Sequence, residues 1–520
     1  MASIPRIRRI AGNIFSNWVA LCLGMVVAFF LMPFVVHHLG NVVYGVWVLV
    51  VSLNSYMGLL DLGLRGAVTR FVSKGATQSN HEESSEAASG ALWIRMWLSI
   101  AVLLTSIGFA AVFTRVFPVP ASLQWDARWA ILATAAGLAV TLCGGVFGGV
   151  LSALHRFDLL SSVTILQTVL RAGGIVWLLL HHHGILALAL WDFTATAIAN
   201  CLLVLFCLRS YPELHIRLSM PTRATLRKLW NYSFYVFIIN VALQLVYYTD
   251  NLVVGAFAGA VGVTFYAIGG SLIGYARQVV GSMTTTFTPL ASTFEAQGSE
   301  RNLRRLLIHG TRAALVVSLP VELALFLRGE TFISLWMGPE YGHASGTVLR
   351  ILLISLIVST GSAAACGIVY GMEKHRRVAI WGVFEGIANL SLSIVLVRQI
   401  GIAGVAWGTT IPSIFVELLL WPPFICRLVT ISMREYIWQT WGRTGLAVLP
   451  FTLSCYLSER FWPAHNLAYF FAQIAAVLPL VAVGLIVVFH SEIRLALQRR
   501  AKSQQPVPLP EFATSPASKE

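Results

Sequence analysis

Long apolar segments recur along almost the whole chain and constrain its fold more than any other feature. A helix needs about 20 mostly apolar residues to cross the hydrocarbon core of a bilayer. The sequence therefore predicts an all-α polytopic membrane protein with about fourteen transmembrane helices, the thirteenth of which is the weakest. The fourteen segments lie near residues 14–36, 42–66, 91–113, 129–152, 158–180, 185–208, 230–257, 263–289, 308–327, 347–370, 378–397, 402–425, 443–458 and 467–489.

The composition agrees with this prediction. Hydrophobic residues make up 57% of the chain and charged residues 11%, whereas a soluble domain carries about 25% charged residues. The first apolar stretch is too long for a signal peptide, and no small-residue cleavage pattern follows it. The adjacent histidines 181–183 fall in a short turn and point in different directions, so no metal site is expected.

The distribution of positive charge predicts the topology. The net charge is +14, and an N-terminus on the inside would place 24 Lys and Arg in inside segments and five outside. Such an excess marks cytoplasmic loops, so both termini are expected in the cytoplasm. Nucleic-acid binding is not needed to explain the charge. The five outside residues are Arg115, Arg128, Arg328, Arg398 and Arg460.

One stretch of the chain, residues 149–207, occurs a second time 218 residues further on. This shift sets Gln167 on Glu385. It also sets Arg171 on Asn389, and the match then continues after a one-residue deletion. The chain therefore consists of two halves of one design, and duplicated transporters commonly bind substrate between the halves.

The repeat also predicts the domain organisation. The longest inside connection contains two prolines and separates the halves, and the last two segments have no counterpart in the first half. The C-terminal end is rich in Pro, Ser and Lys, which is typical of disorder. The expected domains are an N-terminal lobe at 1–208 (helices 1–6), a cytoplasmic linker at 209–228, a C-terminal lobe at 229–427 (helices 7–12), an added helix pair at 428–490 (helices 13 and 14) and a disordered cytoplasmic tail at 491–520.

Short motifs at the start of both halves carry a family resemblance. The motifs are Gly40 with Tyr44, Gly45 and Trp47, the stretch from Leu60 to Leu64 that leads to Arg70, and Tyr247 to Asp250 followed by Gly262 and Tyr266. With them the chain resembles Wzx-type polysaccharide flippases of the multidrug/oligosaccharidyl-lipid/polysaccharide (MOP) exporter superfamily, over roughly residues 5–490. The resemblance implies two six-helix lobes and a final helix pair, alternating between inward-open and outward-open states.

The resemblance also implies a function. Such a protein would move an undecaprenyl-diphosphate-linked oligosaccharide across the bacterial inner membrane for surface polysaccharide synthesis, as for O-antigen or exopolysaccharide. Its partners would be this lipid-linked oligosaccharide, membrane lipid, and a polysaccharide polymerase with other assembly proteins. No cofactor is implied, and coupling to a proton or sodium gradient stays open.

Arginines inside the apolar segments are candidates for binding the anionic diphosphate. Each costs about 2.5–3.5 kcal/mol at a helix centre and should face a partner or a water-filled cavity. Arg171 and Arg277 lie in the middle of their segments, one in each half, and Arg65 has Asp61 four residues away. Charge-assisted hydrogen bonds from these arginines would replace part of the hydration of a diphosphate. The alternative for each is a structural ion pair.

Three other arginines lie within about one turn of a segment end: Arg95, Arg312 and Arg350. The long arginine side chain carries its charge to the interface from such positions. These three are therefore expected to reach the membrane surface.

Polar and aromatic residues in the seventh and eighth segments are suited to binding sugars, and Gln244 and Tyr248 are the candidates. Asp250 follows them in the seventh segment, and Glu385 matches the polar Gln167 of the other half. A carboxyl group in a cavity takes up a proton when it is isolated and stays ionised beside an arginine. Asp250 and Glu385 are therefore candidates for ion coupling.

Two alternatives remain at this point. A multidrug exporter of the same superfamily would bind cations in a cavity dominated by carboxylates, but six arginines and six acids share the apolar segments here. A membrane enzyme such as a polymerase or ligase would carry a large outer loop, and the longest outside loops expected here, near 114–128 and 328–346, have fewer than twenty residues. No nucleophile-and-base set stands out, so an enzyme is not expected.

Overall fold

A computed structural model describes residues 4–61, 64–78, 80–217, 223, 240–241, 244–246, 248–374 and 376–503. Within these ranges every regular element is a helix. The first half contains α1 (Ile4–Met57), a 3₁₀ turn (Gly58–Asp61), α2 (Leu64–Thr77), α3 (His81–Val116), α4 (Ala121–Ala153), α5 (Phe157–Leu180) and α6 (Ile185–Ser210).

The second half has the same order of long helices. It contains α7 (Thr249–Ala296), α8 (Glu300–Met337), α9 (Pro339–Thr360), α10 (Ala363–Gly371), α11 (Arg376–Ile400), α12 (Ile402–Phe415), a π segment (Val416–Leu420) and α13 (Trp421–Leu428). After it come α14 (Met433–Ile437), a second π segment (Trp438–Gly442), α15 (Arg443–Phe461), α16 (Leu467–Val477) and α17 (Pro479–Ser503).

The helices α1 and α7 each hold two membrane segments joined at a glycine. Gly40 has φ 75° and ψ 164°, and Gly259 has φ 72° and ψ 179°. Essentially only glycine adopts this region of backbone space. Val35 and Trp47, on either side of Gly40, pack in the same cluster, so α1 turns back on itself there. The two glycines lie 219 residues apart, within one residue of the repeat shift.

Eleven helices in the described ranges are long and apolar enough to cross a membrane. They account for thirteen of the fourteen expected segments, because the helices around Gly40 and Gly259 each supply two. The remaining segment is α15, which the sequence also marks as the weakest. The fold is therefore all-α, as predicted.

Several turns meet at one end of the molecule, which we name the Gly40 face. The hydroxyl of Tyr341, at the start of α9, donates to the side chain of Asn41 at 2.6 Å. A Cβ on Gly259 would lie 3.8 Å from Pro118, in the turn between α3 and α4. The sequence-based topology makes this face the outer one. The opposite face contains the start of α1 and the end of α17.

Each lobe is a bundle around its own central helices. In the first lobe α4 packs against α3 and α6, and α5 packs against α1 and α6. In the second lobe α9 packs against α7, α8 and α12, and α11 packs against α12. The added helices α15 and α17 pack against each other, and α15 lies on α8.

The two lobes meet along α1 and α7. A Cβ on Gly45 would lie 1.8 Å from the carbonyl oxygen of Ala260, so only glycine permits this approach. The hydroxyl of Thr264 donates to the backbone oxygen of Asn41 at 2.6 Å. Further from the Gly40 face, the amide of Asn251 donates to the hydroxyl of Ser52 at 3.1 Å. These contacts hold the lobes together on the side of the Gly40 face.

The prediction of two long outer loops is wrong. Only residues 117–120 separate α3 from α4, and only Gly338 separates α8 from α9. Arg328, expected outside, lies within α8 and is 1% exposed. Its guanidinium donates to Glu459 at 2.8 Å and to Gln473 at 2.6 Å. These partners on α15 and α16 compensate the buried charge, so the helix continues past it.

Three further boundaries differ from the expected ones. The second segment ends at Met57, and the tenth is interrupted at residues 361–362. The last helix continues to Ser503, well into the stretch expected to be a disordered tail. The linker expected at 209–228 lies outside the described residues except for 209–217 and 223.

Candidate functional site

The lobes enclose a cavity of about 640 Å³. One wall comes from α1, α5 and α6 and is mostly apolar, whereas the other comes mainly from α7, α9 and α12 and is mostly polar. The first wall consists of Ala28, Leu31, Met32, Val35, Tyr44, Trp47, Val48, Ile175 and Leu188. The polar residues of the second wall are Tyr248, Asp250, Asn251, Tyr266, Ser271, Arg277, Gln278 and Thr409.

The structure places three of the predicted site residues in the cavity wall, namely Arg277, Tyr248 and Asp250. Gln244 is buried beside it, one turn before Tyr248 on the same segment. Glu385 lies behind this wall and interacts electrostatically with Arg277. The second half therefore gathers five of the predicted residues around one cavity.

Asp250 is held in a defined orientation by two hydroxyl groups. The hydroxyl of Tyr266 donates to its Oδ2 at 2.6 Å, and that of Thr409 donates to the same oxygen at 2.8 Å. Its Oδ1 has no hydrogen-bond partner among the described residues. Arg277 interacts with this carboxylate electrostatically. One oxygen of Asp250 is thus fixed by the protein, and the other is not occupied by a described side chain.

Asn389 connects this acid to the neighbouring helices. Its side-chain amide donates to the backbone oxygen of Val246 at 2.9 Å, and its Oδ1 accepts from the hydroxyl of Ser393 at 3.0 Å and lies 3.3 Å from that of Thr409. Asn389 is fully buried. It therefore ties α11 and α12 to the segment that carries Asp250. In the sequence, Asn389 stands out only as a repeat position, and Thr409 does not stand out at all.

The first lobe contains the equivalent of this pair. The repeat sets Arg171 on Asn389, and after the one-residue deletion it sets Asp192 on Thr409. Arg171 forms an ion pair with Asp192, which is the structural alternative considered for it. Arg171 is not among the residues that line the cavity, although Ile175, one turn further on, is.

Arg65 also lies outside the cavity wall. It is exposed at the start of α2, with its guanidinium next to Gly148 on α4. The helical spacing that would bring Asp61 to Arg65 is interrupted, because a 3₁₀ turn ends at Asp61 and α2 begins at Leu64. The side chain of Asp61 lies outside the described residues.

The repeat shows how the two walls came to differ. With the shift of 218 residues Asp250 falls on Met32, and both line the cavity. The same shift sets Arg277 on Leu59. Equivalent positions are thus charged in the second half and apolar in the first. The polar wall offers a cation, a carboxylate, hydroxyls and amides, which can hydrogen-bond a polar solute.

No group of three or more His, Cys, Asp or Glu in the described ranges is arranged to hold a metal ion. The ring of His181 forms a hydrogen bond with the backbone oxygen of Trp177 on its own helix.

Two helical lobes around a central cavity define a class of membrane transporter. The chain belongs to the polysaccharide biosynthesis protein family, whose model matches residues 10–295. The model of the MatE family matches residues 236–395. The polysaccharide biosynthesis family covers more than half of the chain, including the first lobe and both halves of α7.

Curated relatives agree with this family. The chain is 22% identical over 452 residues to the uncharacterized membrane protein EpsK of Bacillus subtilis (strain 168), covering 85% of this chain and 88% of the relative. It is 20% identical over 392 residues to a putative O-antigen transporter of Shigella flexneri, covering 75% of this chain and 91% of the relative.

Solved structures share the fold. The lipid II flippase MurJ in an inward closed conformation superposes with a TM-score of 0.66 at 13% identity, over 92% of this chain and 99% of that one. An inward-facing multidrug resistance transporter of the MATE family superposes with a TM-score of 0.63 at 13% identity, over 80% and 98%. The chain therefore shares the fold of these two proteins.

Proposed function

We propose that this protein translocates a lipid-linked oligosaccharide across the bacterial inner membrane by alternating access, for synthesis of a surface polysaccharide such as O-antigen or exopolysaccharide. The substrate is an undecaprenyl-diphosphate-linked repeat unit. The observation that carries the proposal is the inter-lobe cavity with Arg277 on its polar wall, in a chain of the polysaccharide biosynthesis family.

Arg277 suits the diphosphate for a physical reason. A diphosphate that leaves water needs charge-assisted donors, and the planar guanidinium offers two to one phosphate. Arg277 is the arginine among the described residues of the cavity wall. Gln244 and Tyr248 supply the amide and hydroxyl groups that hydrogen-bond sugars. Arg171 and Arg65 are secondary candidates, which would act only in a state where the lobes have moved.

The Gly40 face is the outer face in this proposal. Both termini lie in the cytoplasm, and the contacts at the Gly40 face close the cavity toward the outside. The substrate is therefore loaded from the cytoplasmic leaflet and released on the other side. There it passes to a polysaccharide polymerase and other assembly proteins within the membrane.

The orientation can be tested by labelling in intact cells. A cysteine placed at Ser219, in a background without the seven native cysteines, should stay unlabelled by a membrane-impermeant thiol reagent until the cells are permeabilised. A cysteine at His182, in the turn between α5 and α6, should be labelled from outside and is the matched control. Labelling of position 219 in intact cells would reverse the topology.

Asp250 and Glu385 are the proposed coupling residues, for a proton or a sodium ion. In this proposal, the proton or ion would bind the carboxylate oxygen of Asp250 that lacks a hydrogen-bond partner among the described residues. Moving one charge through a potential of 100 mV is worth about 2.3 kcal/mol, which is enough to bias a transport cycle.

The alternative is a cation exporter of the same superfamily, and the MatE match over residues 236–395 favours it. Cationic substrates need a carboxylate-rich cavity. Among the described residues of the cavity wall, Asp250 is the carboxylate, and it faces Arg277. This balance supports an anionic head group rather than a cation.

Replacing Arg277 tests the proposal. Arg277→Gln keeps hydrogen bonding but removes the charge, so surface polysaccharide should fall to a few per cent of wild type with normal protein in the membrane. Arg350→Gln, at an exposed arginine of α9 paired with Glu330, should export normally. Full export by Arg277→Gln would remove the diphosphate role. Loss of drug resistance with intact polysaccharide would favour the alternative.

A further inference from the structure

The cavity has a closed end beneath the Gly40 face. Phe29 and Trp336 stack across the lobes with ring centroids 4.9 Å apart, and the indole of Trp336 donates to the backbone oxygen of Phe29 at 3.0 Å. The hydroxyl of Tyr341 donates to Asn41 at 2.6 Å. The Tyr341 contact closes the Gly40 face, so a substrate in the cavity has its innermost part beneath it.

Two aromatic residues of the first lobe lie at this closed end. Tyr44 and Trp47 follow Gly40 by four and seven residues, which places them about 6 and 10 Å from the turn along the helix. Arg277 follows Gly259 by eighteen residues, which places it about 27 Å from the equivalent turn. Tyr44 and Trp47 therefore lie nearer the Gly40 face than Arg277 does.

The aromatic pair is held in place but has free polar groups. Both rings pack against the cluster of Val35, Leu178 and Leu188 behind them. In the part of the chain that the structure describes, neither the hydroxyl of Tyr44 nor the indole N–H of Trp47 has a protein hydrogen-bond partner. A fixed ring with an available donor packs on the apolar face of a sugar and bonds its hydroxyls.

We propose that Tyr44 and Trp47 form a sugar-binding subsite at the closed end of the cavity, which helps to decide which oligosaccharide is accepted. The inference rests on the proposed function and goes further by giving the substrate a direction. In a lipid-linked oligosaccharide the diphosphate joins the lipid to the first sugar. With the diphosphate at Arg277, the sugars extend toward the Gly40 face, and the distal ones reach Tyr44 and Trp47.

The isoprenoid chain is the competing occupant of an apolar wall. It is attached on the far side of the diphosphate from the sugars and must leave the cavity to lie in the bilayer. The end closed by Tyr341 and Asn41 offers no such exit. A position between Arg277 and this end therefore fits the sugars rather than the lipid.

Binding of two lipids by the purified full-length protein separates the possibilities. The first is lipid-linked oligosaccharide extracted from producing cells that lack this protein, and the second is undecaprenyl diphosphate without sugar. Trp47→Leu should weaken binding of the first lipid about tenfold, a change of about 1.4 kcal/mol, and leave the second unchanged. Arg277→Gln should weaken binding of both lipids to a similar extent.

Two further variants guard against a packing defect. Tyr44→Phe keeps the ring and loses only the hydroxyl. It should therefore weaken binding of the glycosylated lipid about threefold and leave binding of the bare lipid unchanged. Trp177→Leu removes an exposed tryptophan of α5 outside the cavity wall and should bind both lipids as wild type does. Gel filtration of each variant reports whether it folds.

Each outcome has a separate meaning. Weaker binding of both lipids by Trp47→Leu would place the isoprenoid at this wall and overturn the sugar subsite, as would unchanged binding of the glycosylated lipid by both Trp47→Leu and Tyr44→Phe. Wild-type protein that binds only the bare lipid would also overturn the subsite and leave a polyprenyl-diphosphate transporter. Wild-type protein that binds neither lipid would overturn the proposed function itself.

Discussion

At the scale of single residues, Asp250 is the most constrained group in the cavity. Two hydroxyls, from Tyr266 and Thr409, donate to one of its oxygens, and its other oxygen has no hydrogen bond among the described residues. A buried carboxylate oxygen without a partner is costly unless a proton or cation occupies it. The proposed ion coupling would use this oxygen.

Replacing Asp250 with Asn separates coupling from structure. The amide oxygen can take the place of Oδ2 and still accept from Tyr266 and Thr409, so the melting temperature in detergent should change little. The variant should bind substrate but lose gradient-driven transport in proteoliposomes, because an amide does not titrate or carry charge. If its transport still follows the imposed gradient, Asp250 has no coupling role and Glu385 is the next candidate.

The sequence predicts some of these residues and not others, for physical reasons. A charge in an apolar segment is conspicuous, so Asp250 and Arg277 are found. Thr409 is not, because a hydroxyl is common in helices and its partner lies 159 residues away. Arg95 was expected at the membrane surface and is instead 1% exposed, donating to the backbone oxygen of Leu142 at 2.6 Å. Hydropathy does not reveal a backbone acceptor on another helix.

At the scale of helices, the Gly40 turn sets the position of the Tyr44 and Trp47 helix. Segment number follows from hydropathy because each crossing needs an apolar run of similar length. The length of the turns does not follow from hydropathy, because Gly40 and Gly259 reverse the chain within single residues. The ends of α8 were missed for a related reason, since the buried Arg328 is paired with Glu459 on the added helix pair.

Gly40→Ala should show the dependence on this turn. An alanine in this backbone region costs about 1–3 kcal/mol, so the melting temperature in detergent should fall. Gly24→Ala is the matched control in the same helix, where a Cβ meets no atom within 4 Å and replacing a helical glycine is neutral or stabilising. Equal melting temperatures for the two variants would show that Gly40 is not strained.

At the scale of the whole molecule, the duplicated halves have diverged into different walls. Asp250 and Arg277 face the cavity from the second lobe. The repeat-equivalent positions of the first lobe are Met32 and Leu59. In the first lobe, the positions that correspond to Asn389 and Thr409 are Arg171 and Asp192, whose charges neutralise each other in an ion pair. In the proposed function, the second lobe holds the charged part of the substrate, and movement of the first lobe exposes the cavity to either side.

The most direct test of this account locks the lobes together. Ser52 and Asn251 form a hydrogen bond of 3.1 Å between the lobes, so cysteines at both positions can be joined by a short thiol cross-linker in a background without native cysteines. Flipping of lipid-linked oligosaccharide is then measured in proteoliposomes before and after reduction, with each single-cysteine variant as control.

The account predicts that wild-type protein flips the lipid-linked oligosaccharide, that the cross-linked protein does not, and that reduction restores flipping. The single-cysteine variants should be unaffected by the cross-linker. Flipping by the cross-linked protein at the rate of its reduced form would show that the lobes do not separate at this interface during transport, and it would contradict alternating access through this cavity.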